Sequence, residues 1–321
     1  MPATQDALVR LGVELRKDLG YAFRGIRFVE RSEAVSADFP SGCGIGIRRT
    51  QLHECLLSEA ERSGVRLLWK TPVTGIEAGG VRLTNRLVPA RWIIGADGGH
   101  SRVRRWSNLD ATVTRRQRFA TRRHYRVRPW SEFMEIYWGN CVQGYVTPIG
   151  AEEVCVVMMG ETAEEVKFEW ALNALPRLRE RLTGGELSSR ERGAITVMHS
   201  LARVWRDNVA LVGDASGGVD AITGEGLRLA FRQAAALAES LERGDLRKYQ
   251  SEHRRMARRP MWMGMMLKQL GRYDGLRQRT VKTLSRNPGL FGQLLAVHVG
   301  RATGREVLTA GAALGWQLLA S

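Results

Sequence analysis

The chain has 321 residues, 44% hydrophobic and 26% charged, enough apolar material for a sizeable core and too much for a disordered or collagen-like chain. Its 49 basic residues outnumber 33 acidic ones, for a net charge of +16, which suits phosphates, nucleic acid or anionic lipid as neighbours.

Residues 4–18 read as a helix, with Leu8, Leu11 and Leu15 at helical spacing. Residues 20–47 alternate short apolar runs with Gly20, Gly25, Pro40 and Gly42, the pattern of strands and turns. A helix over 49–63 stops at Gly64. Residues 65–69 are expected as a strand and 73–83 as a hairpin turning at Gly79-Gly80. A buried strand over 92–96 runs into Asp97-Gly98. Alternation at 133–138, 144–147 and 154–158 predicts an antiparallel sheet, with 148–150 as a turn. A helix over 162–183 and a strand over 194–199 follow. A short strand over 208–212 then meets Gly213-Asp214, and a helix occupies 225–243. The tail, 246–318, is helical, with breaks at Pro260, Gly275 and Pro288-Gly289.

These elements form an α/β outline: strand–helix units, an inserted antiparallel sheet, a return to the first layer and a helical tail. Alternating units imply a parallel sheet with helices on its faces. The inserted sheet makes a second lobe, with a cleft between the lobes for a ligand.

Residues 251–290 hold ten Lys/Arg and two acids, Glu252 and Asp274. A solvated helix face explains that charge, and an anionic membrane surface is its rival. No nucleic-acid partner is expected, because neither zinc spacing nor an RNA-binding aromatic motif accompanies the charge. Four scattered cysteines without CxxC spacing suit a reducing compartment, so the expected location is cytoplasmic, peripheral at a membrane if the basic tail docks there. No short Cys/His motif suggests a metal, and no Ser/His/Asp arrangement suggests nucleophilic catalysis. No apolar run reaches the roughly 20 residues that span a bilayer.

Three segments carry the candidate chemistry. In residues 211–234 a buried strand ends in Gly213-Asp214, and Gly224-Glu225-Gly226 opens a helix. Ligands of open α/β sheets bind beyond the carboxyl ends of strands. Asp214 suits a sugar or ribityl hydroxyl there. The glycines at 217, 218, 224 and 226 allow a flat ring to approach the backbone, and the helix start favours an anion. The plain alternative is a capped glycine-rich turn. In residues 93–105 a second buried strand ends in Asp97-Gly98; Ser101 can cap the next helix, and Arg104 is placed to meet phosphate. The alternative is a capped turn with exposed arginines. In residues 44–52, Arg49 begins a helix, an odd place for a cation unless an anion lies near; a solvated arginine is the alternative. His124, Tyr125, Tyr137 and Trp138 fall on the inserted sheet as candidate substrate contacts, against the commoner reading of sheet aromatics as core.

The run Asp97-Gly98-Gly99-His100-Ser101-Arg102-Val103-Arg104 resembles the DGxxSxVR motif of FAD-dependent monooxygenases of the p-hydroxybenzoate hydroxylase class. Gly213-Asp214 with Gly224-Glu225-Gly226 resembles that class's second FAD motif, and Arg49-Thr50-Gln51-Leu52 its Arg-x-x-Leu helix start. The resemblance covers residues 1–245. It implies an FAD/NAD(P)-binding three-layer domain with an inserted substrate sheet, FAD held through Arg49, Asp97, Gly98, Ser101, Arg104, Gly213, Asp214, Gly224, Glu225 and Gly226, and NAD(P)H as reductant. The implied organisation is a first FAD-binding part at 1–110, a substrate sheet at 111–200, a return segment at 201–245 and C-terminal helices at 246–321. The implied activity is NAD(P)H-dependent monooxygenation of an organic small molecule.

The sequence departs from that class twice. Thr223-Gly224-Glu225-Gly226 is more similar to the geranylgeranyl-reductase branch than to the hydroxylases' His- and Pro-containing loop, which raises reduction of a lipid-like double bond as an alternative. No GxGxxG follows a strand; Arg49 stands where the third glycine of the Gly42–Gly46 run would be needed. The expectation is a flavin domain incomplete at its N-terminus, with a degenerate non-catalytic relative as the remaining alternative.

Overall fold

The computed structural model describes residues 1–16, 19–110 and 112–320, and the side chains of these except 112–116 and 318–320. An eight-stranded sheet dominates. Its order is Glu186–Leu187, Thr112–Arg126, Glu153–Gly160, Val142–Gly150, Phe133–Trp138, Gly25–Glu30 and Glu33–Asp38, with Arg192–Leu201 also paired to Thr112–Arg126. All its pairs are antiparallel except Phe133–Trp138 against Gly25–Glu30. A strand's side chains alternate between faces, and Glu153–Gly160 shows the result. Val154, Val156 and Met158 are fully buried in the cluster that includes Phe168, Ala171, Leu172 and Leu178, on helices Phe168–Asn173 and Pro176–Leu182. Cys155, Val157 and Met159 line a cavity on the other face.

The C-terminal helices cover that other face. Leu284, Leu290, Phe291, Leu295 and Val299 join Ile26, Ile136 and Trp138 in one core. Helix Asp274–Arg286 is pinned through Arg277, which ion-pairs with Glu30 at 2.8 Å; the side chains are 1% and 3% exposed. Breaking one side of so buried a pair typically costs about 3–5 kcal/mol, so these helices are an integral wall of the fold.

The second layer is small. Strands Ile93–Gly95 and Val209–Leu211 pair in parallel, with Trp205–Arg206 at the edge. Helix Gly226–Glu242 packs Leu237 against Leu211 and Val212.

Several local expectations change. The strand-forming hairpin at 25–38 belongs to the large sheet, so that sheet draws on residues before the expected boundary at 110 as well as after it. Residues 65–69 form no strand; the expected hairpin at 73–83 gains a third strand, Leu87–Pro89. The first helix is Pro2–Val9, followed by a turn with Gly12 at φ +76°; positions 17 and 18 of the expected helix lie outside the described residues. Residues 162–183 make two short helices, because Pro176 forces Leu175 out of helical geometry, to φ −125° and ψ 68°. Pro148 to Gly150 close a strand rather than form the turn. Conversely, Pro260 does not stop helix Leu246–Arg272, whose buried face, Met256, Pro260 and Met263, outweighs the lost hydrogen bond. The other two expected breaks are present, at Tyr273 beside Gly275 and at Asn287 beside Pro288, and a further one falls at Gly300.

Candidate functional site

The two parallel strands bring the two Asp-Gly motifs together. Leu211 pairs with Gly95, and Val212 N–H donates to Gly95 O at 2.9 Å, so the loops after both strands leave the same sheet edge. Asp97 turns back onto its own helix. It accepts from Ser101 Oγ at 2.5 Å, Arg102 N at 2.7 Å and Val103 N at 3.2 Å, and the three bonds hold its pKa below the ordinary carboxylate value against some burial. Ser101, fully buried, accepts from Arg104 N at 2.9 Å. The carboxylate of Asp97 and the hydroxyl of Ser101 are thus spent on capping Arg102–Trp106.

Arg104, expected to meet phosphate, is also spent internally. Its Nη2 donates to Gly99 O at 2.9 Å and its Nη1 to Ala215 O at 3.1 Å, so one guanidinium bridges the two strand-end loops. It also pairs with Asp110 at 2.8 Å. Nη1 lies 2.8 Å from His199 Nε2, which must accept because arginine only donates. Burial and Arg104 accordingly keep His199 below the ordinary histidine pKa.

The second loop is different. Asp214 is exposed, and no hydrogen-bond partner for its carboxylate occurs among the described residues; its charge attracts Arg49. Gly224 sits in the left-handed region at φ +63°, and a Cβ added at Gly224 or Gly226 would meet nothing within 4 Å. The glycines at 217 and 218 serve packing instead, since a Cβ there would strike His199 O at 2.9 Å and Val197 O at 2.4 Å. Helix Gly226–Glu242 begins without a side-chain cap, so its first N–H groups lack a side-chain partner. The Glu225 side chain points inward, 1% exposed and ion-paired with Arg228; burial raises its pKa while Arg228 and Arg259 oppose the rise. Only the backbone at 225 is therefore available to a ligand.

Beside this loop lies a cavity of about 840 Å³. Its walls are the inner face of the large sheet (Phe28, Ile136, Tyr145, Val157) and the C-terminal helices (Met266, Leu267, Phe291, Leu294). One end reaches Arg49, Thr223, Gly224 and Leu227. His124 lines it, but Tyr125, the next residue, necessarily faces away and packs with Phe168 at 6.1 Å between ring centroids. Tyr137 also faces away, donating to Glu135 at 2.6 Å. Trp138 is on the cavity side, packed edge-on to Phe28 in the core. Of the four candidate substrate contacts, only His124 lines the cavity.

The family described as FAD binding domain matches residues 17–259. The chain belongs to that family. Geranylgeranyl diphosphate reductase of the Arabidopsis thaliana chloroplast is 26% identical over 238 residues, covering 63% of this chain and 50% of that protein. Digeranylgeranylglycerophospholipid reductase of Methanothrix thermoacetophila is 27% identical over 271 residues, covering 77% and 68%. The solved structure of a geranylgeranyl bacteriochlorophyll reductase-like protein from Thermoplasma acidophilum superposes with a TM-score of 0.76 at 19% identity, over 98% of this chain and 85% of that one, a likeness of fold. The chain thus spans half the length of the Arabidopsis relative.

The residues present fit the group that gives the FAD-binding family its name. Gly224 and Gly226 leave open space, the helix start is uncapped, and Asp214 and Arg49 present opposite charges beside it. Supporting residues not singled out in the sequence complete the site. Arg118 and Asp220, 6% and 5% exposed, make two 2.8 Å bonds that fasten the 220–224 turn to the large sheet. Gln233 accepts from Gly213 N at 2.8 Å, and His253 hydrogen-bonds Ser216 at 2.9 Å. They lie 102, 20 and 37 residues from their partners, and no local spacing signals such pairs.

Proposed function

We propose that the protein is an FAD-dependent oxidoreductase that reduces a double bond in a lipid-like substrate, with NAD(P)H as the source of electrons. The observation that carries this reading is the cavity. At about 840 Å³ it lies in the upper range of small-molecule sites, is walled mainly by aliphatic and aromatic side chains, and touches the Thr223–Gly224 turn. The reductase names of the Arabidopsis and Methanothrix relatives support it. FAD supplies hydride chemistry when bound. Arg49, Asp214 and the backbone of Gly224–Gly226 would hold it, the uncapped helix favouring negative charge on its ring. The cavity walls orient an apolar chain and exclude water. Burial, reinforced by Arg122 and Arg48, depresses the His124 pKa to about 4, so His124 enters the cavity neutral and can accept or donate one hydrogen bond.

The exterior of the C-terminal helices supports the same reading. Met261 and Met265, 40% and 57% exposed, share helix Leu246–Arg272 with Arg254, Arg255, Arg258 and Lys268, and Leu308 and Trp316 are 75% and 74% exposed on the last helix, an arrangement suited to an anionic membrane surface, where a lipid-like substrate resides. No helix among the described residues is long and apolar enough to cross a membrane.

Mass spectrometry separates reduction from oxygenation. With holoprotein, NADPH and a geranylgeranyl lipid under argon, the expected product gains two hydrogens per double bond. A product formed only in air and carrying added oxygen would replace this reading with monooxygenation.

A further inference from the structure

A second pocket, of about 530 Å³, lies on the face of the large sheet opposite the apolar cavity. Its floor is two adjacent parallel strands, Gly25–Glu30 and Phe133–Trp138, in which Arg27 stands beside Glu135 and Val29 beside Tyr137. Its rim is Arg177, Glu180 and Arg181 of helix Pro176–Leu182, with Trp130 from the loop before Phe133. Ile136, between Glu135 and Tyr137, points the other way and lines the apolar cavity, so the sheet separates the two spaces.

The polar groups of this pocket are only half satisfied. Glu135 is 2% exposed. Trp130 Nε1 and the Tyr137 hydroxyl both donate to its Oε2, at 2.7 and 2.6 Å. Burial and Glu135 push the Tyr137 pKa up, so that hydroxyl keeps its proton. Oε1 receives no hydrogen bond among the described residues: Arg27 Nε is 3.9 Å away, beyond hydrogen-bond reach. Arg27 Nε is itself buried without a hydrogen-bond partner. Arg177 spends only Nη1, on Arg31 O at 2.9 Å, and Arg181 has no ion-pair partner among the described residues. A buried acceptor and a buried donor left open beside one another cost free energy. A molecule that brings both a hydroxyl and an oxyanion relieves that cost.

We propose that this pocket binds a small phosphate ester carrying free hydroxyl groups, at a site separate from the flavin loop and the apolar cavity. Three guanidinium groups, of Arg27, Arg177 and Arg181, receive the phosphate, for which their planar forks offer bidentate donors. Glu135 Oε1 and Glu180 accept from the hydroxyls. The volume falls within the usual range of small-molecule sites.

Calorimetric titration of the full chain at fixed ionic strength tests this with ribose 5-phosphate, inorganic phosphate and ribose. Ribose 5-phosphate is expected to bind about tenfold more tightly than phosphate and at least about 100-fold more tightly than ribose. Arg27→Gln and Arg181→Gln should each weaken it about tenfold; Arg181 is exposed, so its replacement leaves the fold intact. Arg279→Gln, which removes the same charge from an exposed position of helix Asp274–Arg286, should leave the affinity unchanged. No saturable binding of ribose 5-phosphate overturns the proposal. So do equal losses in all three variants, which would reduce the effect to general attraction by a chain of net charge +16. Saturation with FAD should not alter the affinity, and competition by FAD would move the phosphate to the flavin loop and equally overturn the proposal. A chain that takes up ribose 5-phosphate but no FAD would count against the flavin reading alone.

Discussion

The loops at 97–101 and 213–226 leave the same edge of the same small sheet, and they are built in opposite ways. The first satisfies itself: Asp97 and Ser101 cap their own helix, within six residues. The second is held from outside, by Arg104 at Ala215, Gln233 at Gly213, His253 at Ser216 and Arg118 at Asp220. A loop that uses its own side chains has no carboxylate left to offer a ligand, although Gly98 and Gly99 leave open space at its backbone. A loop braced by remote residues keeps a carboxylate, two glycines and a helix start open, at the cost of dependence on those braces.

Removing a brace should have the largest effect. Asp220→Ala leaves Arg118 buried and unpaired and should cost about 3–5 kcal/mol, read as a lowered urea midpoint; a change under about 1 kcal/mol would mean the turn stands without it. Acid should come next. Burial, helped by neighbouring arginines, holds His253, His124 and His298 at pKa values of about 4. The unfolded chain therefore takes up protons below about pH 6.5 that the folded chain refuses, and stability must fall as the pH drops from 7 to 5, by roughly 2 kcal/mol for each ring that stays neutral. Constant urea midpoints over that range would show that these rings protonate in place. The self-capped loop should be the least sensitive. Asp97→Ala should cost about 1 kcal/mol, seen as a small drop in thermal midpoint. Since the folded pKa of Asp97 is lowered, its contribution is present above about pH 3.9 and disappears as the pH falls through the lowered value; a difference from Asp97→Ala that persisted in strong acid would assign the effect to something other than its charge.

Much of this contrast could be read from the chain, and some could not. A short apolar strand ending in Gly-Asp, with glycines before an amphipathic helix, announces a ligand loop because few other arrangements need those residues. The inserted sheet was equally plain in its alternation. Arg104 is ambiguous in sequence, because a guanidinium beside a turn looks the same whether it faces a phosphate or, as here, two carbonyl oxygens. His124 and Tyr125 are adjacent in sequence but, as neighbours on a strand, face opposite ways, so only His124 lines the cavity. The hairpin at 25–38 gave no sign that it pairs in parallel with 133–138, a contact across more than 100 residues. Pro260 suggested a break that burial of the surrounding helix overrides.

Central to the proposed function is that Asp214, not Asp97, would meet the flavin. It is tested by titrating FAD into Asp214→Ala and Asp97→Ala and following quenching of flavin fluorescence. Asp214→Ala should retain the wild-type thermal midpoint without flavin and lose about 10- to 100-fold in FAD affinity. Undiminished affinity in Asp214→Ala, with the loss appearing in Asp97→Ala instead, would contradict the account.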